Sequence, residues 1–186
     1  TDNGPSNQAV EWLMNDPSAF SNCEDPFFVE RYALATINFA APVASGAASA
    51  FNESRTNEDD RVSWITPDRH CVWAPVGCIE GSVGELNFVD TGLKVEGTIA
   101  TEIGLLSNMQ SVDMNEQMLY GSIPSEIGLL TNLRLLSISQ NNLGGTIPTE
   151  LGKLSNLRLL DLSKFLGCLL AFGVHTSVAL YQTIRF

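Results

Sequence analysis

The residues best suited to chemistry are four cysteines and two histidines. Cys71 and Cys78 are close enough in the chain to bridge across a small loop, and His70 stands beside them. The same three residues could instead hold zinc, although zinc sites favour gaps of about two to four residues and a fourth ligand, and neither is evident. A bridge would indicate an oxidising compartment outside the cytoplasm. Cys23 and Cys168 stay unassigned.

No arrangement of residues predicts an enzyme. The sequence shows no recognisable nucleophile with its base, no phosphate-binding glycine loop and no metal cluster. His70 and His175 lack a catalytic signature around them, and we interpret both as structural. Glu102, Glu126 and Glu150 form an acidic column that could suggest carboxylate chemistry, but they recur because the surrounding sequence recurs. We therefore expect a protein without catalytic residues, cofactor or metal.

One modification motif is present. Asn52 begins the chain's N-x-[ST] acceptor, and it lies in a polar stretch that should be exposed. It is a candidate glycosylation site, with chance occurrence of a three-residue motif as the alternative.

The elements that position these residues follow from an internal repeat. Gly97, Gly121 and Gly145 are spaced by 121 − 97 = 24 and 145 − 121 = 24 residues. The same spacing relates Ile99, Ile123 and Ile147, then Glu102, Glu126 and Glu150, then Leu106, Leu130 and Leu154, then Asn108, Asn132 and Asn156. Self-similarity at a fixed period of this length is typical of solenoids.

One period, starting at Leu133, reads LRLLSISQNNLGGTIPTELGKLSNL and matches LxxLxLxxNxLxGxIPxxLGxLxxL. This resembles the plant-type leucine-rich repeat family over roughly residues 84–164. Upstream, Cys71, Trp73 and Cys78 fit the C-x-W-x-x-V-x-C motif of that family's amino-terminal caps, although Pro75 stands where glycine is usual. The resemblance implies a Cys71–Cys78 disulfide. With the upstream segment RYALATINFA and the acidic composition, the chain looks most like diatom leucine-rich repeat proteins.

The resemblance implies an α/β fold, a solenoid of about three 24-residue repeats with short parallel strands and a helical amino-terminal cap. We expect a cap region over residues 1–83, repeats over 84–164 and an apolar tail over 165–186. Residues two apart on a strand share a face, so Leu136 and Ile138 should form an inner wall, repeated by Leu160 and Leu162.

Local patterns refine this picture. Apolar spacing predicts helices within residues 9–16 and 27–40, the second one starting at Asp25 and Pro26. Asn141 falls at the position of the family's asparagine ladder, and Gln117 takes that position one turn earlier. Two extra residues between Phe88 and Gly97 predict a bulge in the first turn.

The candidate recognition surface is the strand face opposite the buried leucines. The outward residues expected there are Ser111, Asp113, Asn115, Leu135, Ser137, Ser139, Leu159, Asp161 and Ser163. Apolar contact from the two leucines beside hydroxyls and acids suits a protein, peptide or glycan ligand. The alternative is a bare scaffold face without a ligand.

Charge and the two ends of the chain limit partners and location. With 21 acidic against 10 basic residues and a net charge of −11, the chain would repel nucleic acid. Residues 165–181 carry no formal charge but fall short of the about 20 residues that a spanning helix needs, so we keep open a membrane anchor, an atypical cap and an unrelated tail. No signal peptide is visible after Thr1, which fits a removed leader or a fragment. We expect an extracellular or cell-surface binding module, or alternatively an ectodomain fragment of a larger membrane receptor of the receptor-kinase kind.

Overall fold

The computed structural model describes residues 4–15, 27–44, 70–89 and 91–164. Two helices come first, α1 (Pro5–Asn15) and α2 (Phe28–Ala40). Eight strands follow: β1 (Val76–Ile79), β2 (Ser82–Asn87), β3 (Glu96–Gly97), β4 (Ser111–Asp113), β5 (Met118–Gly121), β6 (Leu135–Ser137), β7 (Asn142–Leu143) and β8 (Leu159–Asp161). Short 3-10 helices lie at His70–Val72, Thr101–Leu105, Ser125–Leu129 and Thr149–Lys153.

Both predicted helices are confirmed, but their starts differ from the prediction: α1 begins at Pro5, four residues before the predicted segment, and α2 begins after its predicted cap. Its N-cap residue is Phe27, which makes no capping side-chain hydrogen bond. The first helical hydrogen bond runs from Arg31 N to Phe27 O at 2.9 Å, so the N-cap lies two residues after the predicted one, Asp25. Burial of Leu34 and Ile37 against the rest of the protein stabilises α2 in the absence of a polar cap.

The strands form two sheets that run along the solenoid axis. One contains five strands in the order β1-β2-β4-β6-β8, and the other contains three in the order β3-β5-β7. Strand β1 is antiparallel to β2, and every later pairing in the larger sheet is parallel. Parallel pairing between successive turns is the arrangement that a repeating coil requires, which confirms the predicted solenoid.

The inner wall is continuous from one turn to the next. Leu86, Val112, Leu136 and Leu160 lie at matching register positions on successive strands, and all four are buried. Ile138 is buried as well and Leu162 packs, half-buried, against the same core. The leucines therefore share one apolar interior, as the repeat pattern predicts.

The first turn contains the predicted insertion. Nine positions separate Phe88 from Gly97 (97 − 88 = 9), against seven between Met114 and Gly121 one turn later (121 − 114 = 7). The hydroxyl of Thr91 donates to Phe88 O at 2.8 Å and accepts from the N–H of Leu93 at 3.1 Å. The Thr91 side chain thus holds the longer first turn by bonding to backbone groups on both sides of it.

Buried amides join the turns where no strand pairing exists. The side-chain nitrogen of Asn141 donates to the backbone oxygens of Met114, Ile138 and Ser139, and its Oδ1 accepts from Leu119 N at 3.0 Å. One turn earlier, Gln117 plays the same part: Oε1 accepts from Val95 N at 3.0 Å and Nε2 donates to Asn115 O at 2.9 Å. The longer glutamine is therefore compatible with the ladder.

The chain that leaves α2 covers the open edge of the smaller sheet. Thr98 N donates to Ala40 O at 3.0 Å, and Val43 forms an antiparallel bridge with Val95. A Cβ at Gly97 would lie only 2.0 Å from Ala40 O, so glycine is required for this close approach. The cap thus shields the edge that the first turn would otherwise expose.

The cap and the repeats share one hydrophobic core. Leu34 of α2, Trp73 and Val83 belong to the same buried cluster as the inner-wall leucines. The expected boundary between residues 83 and 84 falls inside β2, a strand that pairs with β1 on one side and with β4 on the other. The expected tail over 165–186 lies outside the described residues.

Candidate functional site

The register of the larger sheet arranges its outward side chains in rows that cross the strands. We call the first row the set Glu85, Ser111, Leu135 and Leu159, and the second row the set Asn87, Asp113, Ser137 and Asp161. The third row, just beyond the strands, contains Asn115, Ser139 and Ser163. All nine predicted recognition residues belong to these rows, so the strands bring them together on one face.

Their exposure is unequal, which departs from the expectation that all nine point into solvent. Ser137 and Ser139 are each only 4% exposed, whereas the other seven are half-buried. The cause is Asn115, whose amide group reaches across to the next turn. Two of the predicted ligand contacts are therefore covered by a third.

The Asn115 side chain ties two turns together. Its Nδ2 donates to Ser137 Oγ, and its Oδ1 accepts from the backbone N–H of Ser139 at 2.7 Å and from the Ser139 hydroxyl at 2.8 Å. Its own backbone N–H donates to Asp113 Oδ1 at 3.2 Å. These hydrogen bonds join two consecutive turns at the ends of β4 and β6, so Asn115, Ser137 and Ser139 offer fewer polar atoms to a ligand.

Polar residues in the second row stabilise the turns that follow the strands. Asn87, Asp113 and Asp161 each accept, through Oδ1, the backbone N–H of the residue two positions later, at 3.0, 3.2 and 2.9 Å. This is the Asx-turn geometry by which Asn and Asp stabilise a change of chain direction. The residue types of this row thus have a local structural cause.

The first row has no such role. Ser111 makes no side-chain hydrogen bond among the described residues, and Leu135 and Leu159 lie side by side, half-buried, on adjacent strands. Glu85, which the sequence analysis did not include, occupies this row on the first strand. It was missed because the degenerate first repeat hides which of its residues lie in the strand.

Two further residues were missed at the rim of the same face. Arg134 and Arg158 immediately precede the first-row leucines, and both are exposed. Arg158 N donates to Arg134 O at 2.8 Å, which makes them neighbours on adjacent turns. Their spacing, 158 − 134 = 24, is the repeat period and could have identified them from the sequence.

A shallow cavity of about 400 Å³ lies at the first-turn end of the face. Pro75, Glu85, Asn87 and Thr91 contribute to its lining. A carboxylate at the edge of such a cavity suits a cationic group of a partner.

A buried cluster in the cap contains a serine, a histidine and a glutamate, the residue types of a catalytic triad, but they are not connected in the order that a triad requires. Ser82 Oγ donates to Glu30 Oε1 at 2.6 Å, Val83 N donates to Glu30 Oε2 at 3.1 Å, and His70 Nε2 lies 3.2 Å from Glu30 Oε2. In a nucleophile–base–carboxylate triad the imidazole, not the carboxylate, receives the hydroxyl proton. This cluster instead anchors α2 to the start of β2.

The predicted disulfide between Cys71 and Cys78 is present, with the Cα atoms 5.5 Å apart. The side chains of His70 and both cysteines place their possible ligand atoms within 4.8 Å of one another. Because both sulfurs are joined in the disulfide, neither is a thiolate that could bind zinc. Asn52, Cys23, Cys168 and His175 lie outside the described residues.

The acidic column lies on the 3-10 helices, and its members are half-buried rather than fully exposed. Glu102, Glu126 and Glu150 each accept a hydrogen bond from the hydroxyl of the preceding residue, at 3.0, 3.2 and 3.3 Å. Glu102 also accepts one from Ser6 Oγ at 2.7 Å, which links α1 to the first turn. These contacts give the column a structural role.

Within the described ranges, no helix is both long and apolar enough to cross a membrane. The candidate anchor over residues 165–181 lies outside those ranges.

No family model matches the sequence, and no curated protein matches it either. Solved structures do match. The chain aligns with the structure of PEPR1–AtPEP1 at a TM-score of 0.55 and 28% identity, over 73% of this chain and 17% of that one. It aligns with the BIR3–SERK2 complex from Arabidopsis thaliana at 0.53 and 27%, over 73% and 67%. A plant ice-binding protein matches at 0.50 and 30%, over 56% and 34%.

The chain therefore spans less than a fifth of the PEPR1 chain, 17%, and two thirds, 67%, of the matched chain in the BIR3–SERK2 complex. The structural neighbours include leucine-rich repeat ectodomains of plants. Together with the parallel sheet and the 24-residue register, they show that the fold is a leucine-rich repeat solenoid similar to those of the plant ectodomains.

Proposed function

We propose that this chain is a non-catalytic recognition module that binds a protein or peptide through the outward face of its larger sheet. The observation that carries the proposal is the contrast between rows. Polar residues of the second and third rows are engaged in turns, whereas the first row presents Ser111, Leu135 and Leu159 without a structural hydrogen bond. Side chains that the fold does not need are the ones available for a ligand.

The neighbours support this class of function. The BIR3–SERK2 structure is a complex, as its name states, and PEPR1 was solved with AtPEP1. Because our chain spans only part of PEPR1, ligand binding of this kind is a proposal for it. A glycan ligand is a narrower possibility that the same hydroxyl and leucine surface would accommodate.

A peptide-display selection tests the proposal. The full chain would be immobilised and used to select a phage-displayed library of random heptapeptides. Enriched peptides would then be measured against Leu159→Arg, which blocks the first row, and Ser155→Arg, which adds the same charge at an exposed position on a different side of the repeat. We expect loss of binding only with Leu159→Arg. Equal loss in both variants, or in neither, would contradict the proposal.

We further propose that the chain works outside the cytoplasm, secreted or at the cell surface. The Cys71–Cys78 disulfide supports this location, because such bonds persist in oxidising compartments. The proposal predicts that non-reducing peptide mapping of the native protein recovers the linked pair and that glycosidase treatment lowers the mass at Asn52. Free thiols at both cysteines in native material would count heavily against it.

A larger receptor is the alternative context. In that case residues 1–83 would cap the ectodomain, residues 84–164 would form its repeats, and residues 165–181 would lead into or form a membrane segment. A full-length transcript separates the two contexts, since only a receptor requires a spanning segment and a signalling domain such as a kinase. The kinship with diatom proteins, which the cap motif and RYALATINFA support, is likewise our proposal.

A second candidate function, ice binding, is favoured by one further surface. Thr98, Ser122 and Thr146 are exposed at matching positions of three turns beside the smaller sheet, and they make no side-chain hydrogen bond among the described residues. A plant ice-binding protein is among the structural matches. A regular column of exposed hydroxyls can contact an ordered water lattice.

Ice-recrystallisation inhibition tests this candidate directly. The wild-type chain would be compared with Ser122→Glu, which interrupts the hydroxyl column, and with Ser155→Glu as a control of equal charge. Inhibition that only Ser122→Glu abolishes would support ice binding. No inhibition by the wild-type chain at micromolar concentration would rule it out.

A further inference from the structure

The repeat array is electrically polarised along its axis. Residues 76–133 contain eight acidic residues and one basic residue (1 − 8 = −7), whereas residues 134–164 contain two acidic and four basic residues (4 − 2 = +2). The two segments are consecutive turns of one solenoid, so the sequence difference becomes a difference between its two ends. A partner that lies along the axis meets opposite charges at the two ends.

The recognition face follows the same polarity. The outward face of the first two turns carries the carboxylates of Glu85 and Asp113, and no basic residue. The last two turns carry Arg134 and Arg158 at the rim of the face. The acidic residue on this part of the face is Asp161, and its Oδ1 accepts a backbone N–H. Neither arginine forms an ion pair within the described part of the chain.

The opposite rim also changes charge from one turn to the next. Glu116, Gln140 and Lys164 occupy equivalent positions on three successive turns. Gln140 Nε2 donates to Glu116 Oε1 at 3.1 Å, and Lys164 Nζ donates to Gln140 Oε1 at 3.1 Å. This rim therefore changes from Glu116, whose backbone oxygen accepts from Lys94 Nζ, to Lys164 at the last turn. The arginine rim has the uncharged residues Gly84 and Gln110 at its first two turns, so it is basic at the last two turns only.

An apolar contact lies between the rims on the last two turns. Leu135 and Leu159 are paired across β6 and β8, and each directly follows one of the two arginines. Like charges on adjacent turns repel each other, so an anionic group placed between Arg134 and Arg158 removes an unfavourable interaction as well as adding a favourable one.

Strand spacing sets the length of the partner segment. Three steps of about 4.8 Å separate β2 from β8, which gives about 14 Å, and an extended peptide advances about 3.3 Å per residue. An extended segment of about four to five residues therefore spans the face. Since the Debye length is about 8 Å at physiological salt, the charges at one end of the face would interact little with the part of the peptide at the other end.

We propose that the face binds an extended peptide segment whose charges are segregated, with a cationic end over β2 and β4, an anionic end at Arg134 and Arg158, and an apolar residue on the leucine pair. The cavity beside Glu85 receives the cationic side chain. This inference rests on the proposed function and adds the chemistry of the partner. Nucleic acid and uniformly anionic polymers do not match the acidic first turns.

The heptapeptide selection described above tests the inference when it is repeated with Arg134→Glu/Arg158→Glu. The wild-type chain should enrich peptides with basic residues in one half and acidic residues in the other. The variant, negative at both ends, should enrich peptides with basic residues in both halves. Direction along the peptide is left free, because a segment can bind in either orientation.

A synthetic copy of the most enriched peptide provides the quantitative test. We expect it to bind the wild-type chain about tenfold more tightly than a peptide of the same composition with its charges mixed, the combined effect of about three exposed charge pairs. Arg134→Gln/Arg158→Gln should remove most of this preference, while Lys153→Gln, an exposed lysine on a 3-10 helix, should leave it unchanged.

The outcomes separate the inference from the function on which it rests. Enriched peptides that lose binding with Leu159→Arg but show no charge segregation would overturn the inference and leave the recognition face in place. An unchanged consensus with the Arg134→Glu/Arg158→Glu variant would overturn it as well. If no enriched peptide depends on Leu159, both the function and the inference fail. Circular dichroism of each variant confirms that it remains folded.

Discussion

Replacing Asn141 by leucine tests whether buried amides hold the turns together. Asn141 is 7% exposed, and its Nδ2 has two hydrogens to share among the backbone oxygens of Met114, Ile138 and Ser139. Its Oδ1 accepts the N–H of Leu119. Leucine has a similar volume, so the substitution removes the hydrogen bonds without leaving a large cavity.

The magnitude follows from the groups left without partners. A buried donor or acceptor that loses its partner costs about 1–3 kcal/mol. One N–H and at least one carbonyl are affected, so we expect a loss of about 2–4 kcal/mol in the free energy of unfolding. For a protein of this size that corresponds to a fall in melting temperature of about 5–15 °C.

Urea unfolding followed by circular dichroism measures the effect, and Asn142→Ala is the matched control. Asn142 is the next residue, it is exposed, and its side chain makes no hydrogen bond among the described residues. The control should stay within about 0.5 kcal/mol of the wild-type chain. Hydrogen exchange at Leu119 N–H should accelerate in Asn141→Leu. The reasoning is wrong if Asn141→Leu is as stable as the control, or if the Leu119 amide remains protected.

Three further predictions concern the cap. Glu30→Gln removes the charge that Ser82, Val83 and His70 surround, and we expect a loss of about 1–3 kcal/mol in denaturant unfolding; an unchanged midpoint would contradict the anchoring role. Gly97→Ala should destabilise the protein strongly, because the new Cβ would lie 2.0 Å from a backbone oxygen. Gly144→Ala is the control and should be nearly neutral, because open space surrounds that position. Equal stabilities of the two variants would refute the close approach. Replacing both Cys71 and Cys78 by alanine should lower the free energy of unfolding by about 2–3 kcal/mol, because the disulfide closes a small loop. An unchanged free energy of unfolding in calorimetry would contradict this prediction.

The sequence predicted those parts of the fold that depend on periodic or local patterns. The 24-residue register and the inner-wall leucines follow from spacing along the chain, and the ladder position of Asn141 and the insertion after Phe88 follow from the resemblance to the repeat consensus. Each is set by residues within one turn or by identical positions in successive turns. Such features are visible in one sequence because the repeat presents them more than once.

The burial of Ser137 and Ser139 could not be predicted in the same way. Both serines alternate correctly with buried residues, but a side chain 22 and 24 residues earlier, Asn115, covers them. The Glu30 cluster is similar, since its partners lie 52 and 53 residues away at Ser82 and Val83. Alternation along a strand predicts the direction of a side chain, whereas its exposure depends on what a neighbouring turn places over it.

The same distinction separates structural from recognition positions on the outward face. Substitution of Asn115 removes hydrogen bonds to the next turn, so any effect on binding would come together with a loss of stability. Substitution of Ser111 or Leu159 removes no hydrogen bond of the fold, so binding can change while stability stays close to that of the wild-type chain. A repeat protein can therefore acquire a new ligand through its first row without changing the rows that hold its turns. The residues that determine specificity should be those whose side chains make no hydrogen bond to the rest of the fold.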